Sequence, residues 1–383
     1  MRVVHVITRM IVGGAMENTL LTCEGLHARG HEVTLVTGPA LGPEGELMTR
    51  ARSGGYRLIV LDGLRRPIRP LRDRRSCAAI RRLLADLRPQ IVHTHASKAG
   101  ILGRQAADSL RRGGQAIRTV HTIHGLPFHP YGRWLSNRLY VWLERRAARQ
   151  SDLLIGVADA MARQALAAGV GRAEQYVTIY SGMETAPFLA EPPGVAEFRR
   201  GLGLGPGDVL VTQVSRLAEL KGHEFILAAA QALPPHIHFG FVGDGARRGW
   251  IEREVARRGL GGRVHLTGLL PPDRIPVVMH ASDVVVHASL REGLARAIPQ
   301  AMLAARPVVS FDVDGAGEVV DADTGILLPP RDVPGLRLAI ETLAESPELR
   351  RRLGQAGRAR AAGIFDHNHM VDRIEQEYKR LVE

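Results

Sequence analysis

Residues 283–311 read DVVVHASLREGLARAIPQAMLAARPVVSF. A β-branched run, Val284-Val285-Val286, breaks at Ser289-Leu290-Arg291-Glu292-Gly293, continues as a helix-compatible segment, and closes with a second apolar run after Pro307. The pattern predicts strand, loop, helix, strand, the repeating unit of a parallel α/β sheet. Ligands of such sheets sit at the carboxyl ends of the strands, which puts Glu292 and Gly293 where chemistry is usually done. With a helix beginning near Leu294, its unpaired N–H groups and positive dipole end face the same loop and favour an anionic ligand. A carboxylate at such a place makes sense when a neutral, hydroxyl-rich group lies between it and the anion, and a nucleotide sugar has that chemistry.

The same stretch resembles the signature of family 4 glycosyltransferases of the GT-B fold. In that signature a Glu, seven residues and a second Glu precede an alanine-methionine pair and a proline-valine strand. Here Glu292 is followed by seven residues, then Gln300, Ala301 and Met302, with Arg306-Pro307-Val308-Val309 behind, so Gln300 stands in place of the second acid. The resemblance implies that Glu292 and the main chain of Gly293 and Leu294 hold sugar hydroxyls, and that position 300 meets the ribose.

Composition bounds the rest. A chain of 383 residues accommodates two domains with separate cores. At 45% hydrophobic and 23% charged it is globular rather than disordered. Aromatics at 4% supply few base-stacking platforms, so nucleic acid is not an expected partner. The net charge of +12 suits anionic small molecules or an anionic membrane surface without choosing between them. Lysine is confined to Lys98, Lys221 and Lys379, and a Lys retained in so Arg-rich a chain points to a place where a compact ammonium is needed. Cys23 and Cys77 have no metal-ligand spacing, which suits a reducing, cytoplasmic setting. The opening MRVVHVIT reads as a first strand rather than a signal peptide. No apolar run of about 18 residues exists, so no spanning helix is expected and any membrane contact would be peripheral, at the inner membrane face.

In chain order, residues 2–8 form a strand, and Gly13-Gly14-Ala15 opens a helix to about residue 29. A strand over 32–37 completes a βαβ unit whose glycine turn meets a helix N-terminus, a place for phosphate or a close-packed sugar. The resemblance assigns Gly13 and Gly14 to the donor diphosphate. A basic helix is expected over 65–88, then a strand over 90–95 ending in His93-Thr94-His95. Alternation puts both histidines on one face. No neighbouring carboxylate or cysteine completes a metal set, so one is expected packed and His95 lining the cleft. Lys98, opening the next helix, could meet an anionic acceptor group. A strand over 117–123 ends in His121-Thr122-Ile123-His124-Gly125, and His124 is placed like the family's active-site histidine. The helix over 133–150 carries Trp134, Leu135, Leu139, Tyr140 and Trp142; its arginines would suit a membrane surface, but this spacing more often marks buried core.

Strands over 152–157 and 176–180 follow, and residues 181–194, with three prolines, read as an interdomain linker. The chain then starts again with a strand over 209–215, the loop Arg216-Leu217-Ala218-Glu219-Leu220-Lys221-Gly222, and a helix over 223–233. The loop resembles the family motif whose Arg and Lys clamp the donor diphosphate, a planar fork joined by a point charge. Strands over 238–242 and 264–268 precede the opening stretch. Asp312-Val313-Asp314 mimics a metal-binding string of the other glycosyltransferase fold and is set aside, because here it follows a strand and runs into Gly315. Helices over 333–362 close the second domain.

The expected organisation is therefore α/β of the GT-B class: residues 1–182 an acceptor-side Rossmann-like domain, 195–364 a nucleotide-sugar domain facing it across a cleft, and 365–383 a helix crossing back. The implied activity is retaining transfer of a hexose-type sugar from a nucleotide-diphosphate sugar, UDP- or GDP-linked, to a hydroxyl of a glycan, a lipid-linked glycan or a small molecule. No cofactor or metal is expected; Arg216, Lys221 and the helix start after Gly13-Gly14 would neutralise the leaving diphosphate. A nucleotide-sugar epimerase of the same fold and a non-catalytic nucleotide-sugar-binding homologue remain as alternatives.

Overall fold

The computed structural model describes residues 1–41 and 46–383. Met1–Met183 together with His367–Glu383 form one unit, and Glu184–Asp366 forms the other.

In the first unit β1 (Arg2–Ile7), α1 (Gly14–Ala28), β2 (Glu32–Thr37), α2 (Met48–Ser53) and β3 (Arg57–Val60) build one half of a sheet. The other half comes from α3 (Pro70–Leu87), β4 (Ile91–His95), α4 (Ser97–Arg112), β5 (Arg118–Ile123), α5 (Trp134–Ala148), β6 (Leu153–Gly156), α6 (Asp159–Ala167) and β7 (Tyr176–Thr178). All pairings are parallel, in the order β3-β2-β1-β4-β5-β6-β7. The strands read as apolar runs because helices cover both faces: β4 is buried throughout, and Val3, Val6, Leu35 and Val120 are fully enclosed. The basic helix begins at Pro70 rather than near residue 65, with Pro70 in the first turn, where a missing N–H costs nothing. Right-handed crossovers put α3, α4 and α5 on the same side of the sheet, since β4, β5 and β6 succeed one another in one direction. Gly100 and Gly103 let α4 lie close: a Cβ at Gly100 would meet His121 Cε1 at 2.6 Å, and one at Gly103 would meet Thr94 Cγ2 at 2.7 Å.

The second unit opens with α7 (Ala186–Leu189) and α8 (Val195–Gly201). Its sheet and cover follow as β8 (Val209–Val214), α9 (His223–Ala230), β9 (Ile237–Val242), α10 (Arg248–Arg257), β10 (Val264–Gly268), α11 (Ile275–Ala281), β11 (Val284–His287), α12 (Ala297–Leu303), β12 (Val308–Phe311), α13 (Ala316–Val319) and β13 (Gly325–Leu328). Two helices, α14 (Val333–Glu345) and α15 (Pro347–Ile364), close it, each capped by its preceding side chain, Asp332 and Ser346. The sheet is parallel in the order β10-β9-β8-β11-β12-β13, over a core that includes Phe239, Phe241, Val284, Phe311 and Leu343. Residues 184–194 are not a free tether. Phe188 is buried, and its carbonyl lies 2.9 Å from Nε2 of His280 on α11.

The chain ends in α16 (His367–Val382), which belongs to the first unit. It packs on α1 so closely that a Cβ on Gly25 would meet Val371 at 2.8 Å. Val371, Ile374 and Tyr378 are buried there, at about 1.5–3 kcal/mol for each fully enclosed side chain. Arg29 pairs with Asp372 at 2.7 Å, and His31 Nε2 lies 3.1 Å from Glu375. No helix among the described residues is long and apolar enough to cross a membrane.

Candidate functional site

Strand order reverses between β1 and β4 in the first sheet and between β8 and β11 in the second. Crevices form at the carboxyl ends of the strands at such switch points. The loops leaving β1, β8 and β11 carry Gly13, Arg216 to Lys221, and Glu292, while Gly14 and Lys98 lie in the first turns of α1 and α4, which follow β1 and β4.

In the second unit the loops after β8 and β11 are laced together. Leu290 N donates to Leu220 O at 2.8 Å, Gln213 Nε2 donates to Lys221 O at 2.9 Å, and Gln213 Oε1 accepts from Ala288 N at 3.3 Å. Lys221 stands between Leu220 (φ 64°) and Gly222 (φ 75°), and a Cβ on Gly222 would strike Ala288 O at 1.8 Å. Glycine is thus required at 222 both by its backbone angle and by the strand it crosses, while Leu220 holds a conformation that costs a non-glycine about 1–3 kcal/mol. This bracing delivers Lys221 Nζ onto Glu292 Oε1 in a half-buried ion pair. Burial alone would push the Glu292 carboxyl up, but the Lys221 ammonium and then His287 outweigh it and hold the group below the usual carboxylate range. His287 is fully buried, its Nε2 3.5 Å from Glu292, and burial drives its imidazole down to about 4.

Asp314, set aside as part of a metal-like string, has a role of another kind. Its Oδ2 accepts from the Glu292 N–H at 2.6 Å, at a backbone φ of 51°, and Gly315 N donates to Gly293 O at 3.2 Å. The 312–315 loop therefore braces the 291–294 loop. One expectation needs correction: α12 begins at Ala297, not near Leu294, and spans two turns. The Gly293 carbonyl is occupied by Gly315 rather than by a helical N–H, so residues 293–296 stay a loop and the dipole acts three residues farther on. Gln300 lies in α12, half-buried, with no hydrogen bond to its carboxamide among the described residues. Leu294 is half-buried and Gly293 buried, while Arg216 is exposed at the start of its loop.

In the first unit α1 starts at Gly14 with no side-chain cap. Gly13 is extended, and a Cβ there would make only ordinary contact with Met16 Sδ at 3.8 Å, so neither backbone nor packing demands glycine at 13. His124 follows β5 and borders a pocket lined by Ser97, His121, Gly125, Pro127 and Glu144.

Behind His124 runs a file of imidazoles. His124 Nε2 lies 3.2 Å from His95 Nδ1, and His95 Nε2 lies 3.0 Å from His5 Nδ1. His93 sits beside them, its Nδ1 in contact with the Tyr378 hydroxyl and its Nε2 2.7 Å from Thr122 Oγ1. Burial drives His5 and His124 down to about 3 and His95 well below its usual value, so all are neutral at physiological pH. The expectation that His95 lines a cleft is thus corrected: it is fully buried, with both nitrogens engaged by neighbouring rings. His5, His93 and His95 could converge on a cation, but both His93 nitrogens are already taken. Lys98 is also redirected. Its ammonium pairs with Asp73 at 2.6 Å and donates to Pro67 O, tying the start of α3 to α4.

Sequence reading missed His5 and His287, and set Asp314 aside as part of a metal-like string. His5 lies within β1 and His287 ends β11, apolar strands at the two switch points, the positional signal that could have raised them.

The profile described as Glycosyl transferase 4-like domain matches residues 13–182, and that described as Glycosyl transferases group 1 matches residues 195–360. The chain is 32% identical to a 2-deoxystreptamine N-acetyl-D-glucosaminyltransferase of Streptomyces fradiae, over 80% of this chain and 74% of that one. It is 26% identical to the UDP-Gal:alpha-D-GlcNAc-diphosphoundecaprenol alpha-1,3-galactosyltransferase of Escherichia coli, over 100% and 97%. Anabaena HepE in complex with UDP and glucose superposes with a TM-score of 0.84 at 24% identity, covering 99% of each chain. A sucrose-phosphate synthase from Thermosynechococcus elongatus gives 0.84 at 22%, covering 99% of this chain and 98% of that one. At those identities the structural likeness is one of fold, and that fold is of the GT-B class.

Proposed function

The chain belongs to the glycosyl transferases of group 1, with a 4-like N-terminal half, and from that premise we propose that it moves a hexose-type sugar from a UDP- or GDP-linked donor to a hydroxyl acceptor, with retention and without a metal ion or cofactor. The observation that carries this reading is the Lys221–Glu292 pair, held half-buried at the β8/β11 switch point. A diphosphate arriving there competes with Glu292 for the ammonium, and a carboxylate released from Lys221 turns to sugar hydroxyls, which are donors. The anomeric C–O bond breaks with its electron pair leaving on the diphosphate, whose growing charge Lys221 and Arg216 offset. The acceptor oxygen bonds the anomeric carbon on the same face, and its proton passes to the departing phosphate oxygen. Asp314 holds the Glu292 main chain during the exchange. In the first unit the reading assigns Gly13 and Gly14 to close approach of substrate and His124 to a substrate hydroxyl. UDP and glucose in HepE, and a diphosphoundecaprenol-linked acceptor in the name of the E. coli relative, support a nucleotide-sugar donor and a glycan, lipid-linked or small-molecule acceptor. Free Cys23 and Cys77 support work in the cytoplasm.

A thermal-shift screen of nucleotide sugars tests the donor, since a ligand at 100 times its dissociation constant stabilises by about 2.7 kcal/mol. Nucleotide release that depends on acceptor is the expected result. Donor epimerised without acceptor would identify an epimerase, and donor binding with neither release nor hydrolysis would identify a binding protein.

A further inference from the structure

The face of α5 expected to lie in the core is turned to solvent. Trp134 is 65% exposed, Leu135 71%, Leu139 52% and Trp142 58%. At 100° per residue these side chains share an arc of about 140° with Arg138, Arg145, Arg146 and Arg149, all exposed. The opposite side, with Glu144, Ala147 and Ala148, packs inward, and the one acid of α5, Glu144, is buried against Arg104 at 2.9 Å. The exposed arc is therefore apolar over its first turns, basic along its length, and free of acids. The start of α3 repeats the combination: Ile68 (63%) and Leu71 (73%) are exposed among Arg66, Arg69, Arg74 and Arg75. Lys98 ties that segment to the first turn of α4, which packs between α3 and α5 on one side of the sheet.

We propose that this side of the first unit docks on an anionic phospholipid surface, with α5 lying in the interface. Single exposed apolar residues are ordinary, but two tryptophans and two leucines on one arc are a patch. A bilayer interface accepts both of its chemistries at once: indoles and leucines enter the acyl boundary, while arginine stems cover apolar surface and keep guanidinium groups among phosphates. A second copy of this chain is disfavoured, because a two-fold contact would set arginine against arginine with no acid to offset them. An acidic protein would need a carboxylate interleaved with apolar pockets at every arginine. Docking is independent of the reaction chemistry. One corollary does rest on the transferase reading: the loop bearing His124 runs directly into α5, so a docked α5 holds that loop at the surface where a lipid-linked acceptor is met.

The test uses the full chain and vesicles of phosphatidylcholine alone or mixed with phosphatidylglycerol. In a Trp250→Phe background both remaining tryptophans lie on α5, and their emission should shift to the blue and be quenched by brominated acyl chains. Sedimentation with the mixed vesicles should be strong, weak with neutral ones, and reduced by added salt. Trp134→Gln with Trp142→Gln should weaken binding about tenfold or more. Arg146→Glu with Arg149→Glu should remove the preference for anionic lipid. All four positions are exposed, so the variants should keep the wild-type melting temperature, which is measured alongside. The proposal is overturned by wild-type protein that stays in the supernatant, by variants that bind as well as wild type, or by a patch that instead drives self-association or capture of an acidic protein while vesicles are ignored.

Discussion

His95 Nδ1 lies 3.2 Å from His124 Nε2, and the other nitrogen of His95 lies 3.0 Å from His5 Nδ1. A neutral imidazole donates from one nitrogen and accepts at the other, so the file has one direction throughout. His5 Nε2 ends it, buried and without a hydrogen-bond partner among the described residues. The proton position on His5 therefore sets those on His95 and His124, and His124 holds a single tautomer. Long-range 15N–1H NMR of the imidazoles should find His124 as that single tautomer, and as a mixture in His95→Phe. A single unchanged tautomer in the variant would remove His95 from the role of positioning residue.

Lys221→Ala leaves Glu292 half-buried without its cation. Turnover should fall by more than donor binding weakens, with about 2–5 kcal/mol as the scale for truncating one partner of such a pair. The Glu292 carboxyl should also rise, because burial then acts with less opposition. Equal rates for wild type and variant at saturating donor would rule this out.

Stability should decline in mild acid. His5, His124 and His223 are held near 3 by burial, His287 near 4, and His93, His95 and His121 well below the ordinary 6.5. Below pH 6.5 the unfolded chain takes up protons that the folded chain refuses, so the contribution is complete above 6.5 and is lost as pH falls through the range toward 4 and 3. Each such group contributes a slope of at most about 1.4 kcal/mol per pH unit. Urea unfolding midpoints at pH 7.5 and 5.5 check this, and equal midpoints would refute it.

Gln300 offers one acceptor oxygen where a carboxylate offers two. Hydrogen bonds to charged groups contribute about 1.5–3 kcal/mol against about 0.5–1.5 for neutral ones. Gln300→Glu should tighten nucleotide binding by roughly 1 kcal/mol, about fivefold, despite added repulsion from the diphosphate. Calorimetric titration decides, and unchanged or weaker binding would show that position 300 does not hold the ribose.

Activity should persist in excess chelator. Asp314 is committed to the Glu292 N–H, and the proposed function leaves the charge at the leaving group to Lys221 and Arg216. Loss of turnover with EDTA and its return with Mg²⁺ would overturn that account.

Glu292 and Lys221 were legible because a charge beside glycine after an apolar strand fixes both element and position. The parallel α/β class of both sheets followed from strand-helix alternation, whereas their strand order did not. The orientation of α5 was not legible, since periodicity separates two faces but does not say which meets the core; the buried Glu144–Arg104 pair decides it in favour of the face opposite the tryptophans. His5 escaped because its partner lies 90 residues away in sequence, and contacts of that range leave no local trace. The start of α12 was misplaced because a tertiary bond from Gly315 claims the carbonyl that local pattern assigned to a helix.

The packing of α16 on α1 makes the first unit discontinuous in the order of synthesis. Residues 184–366 leave the ribosome as one uninterrupted block, whereas the unit begun first stays unfinished until the last helix has been translated. Through that interval the surface of α1 around Gly25 is open and His93 lacks its hydroxyl partner. The usual vectorial sequence, N-terminal domain first, therefore cannot run to completion here, because the unit begun first waits for the last helix of the chain. A stop codon ahead of residue 367 would remove no residue of the proposed donor pair, yet it would leave the N-terminal half permanently in that nascent condition.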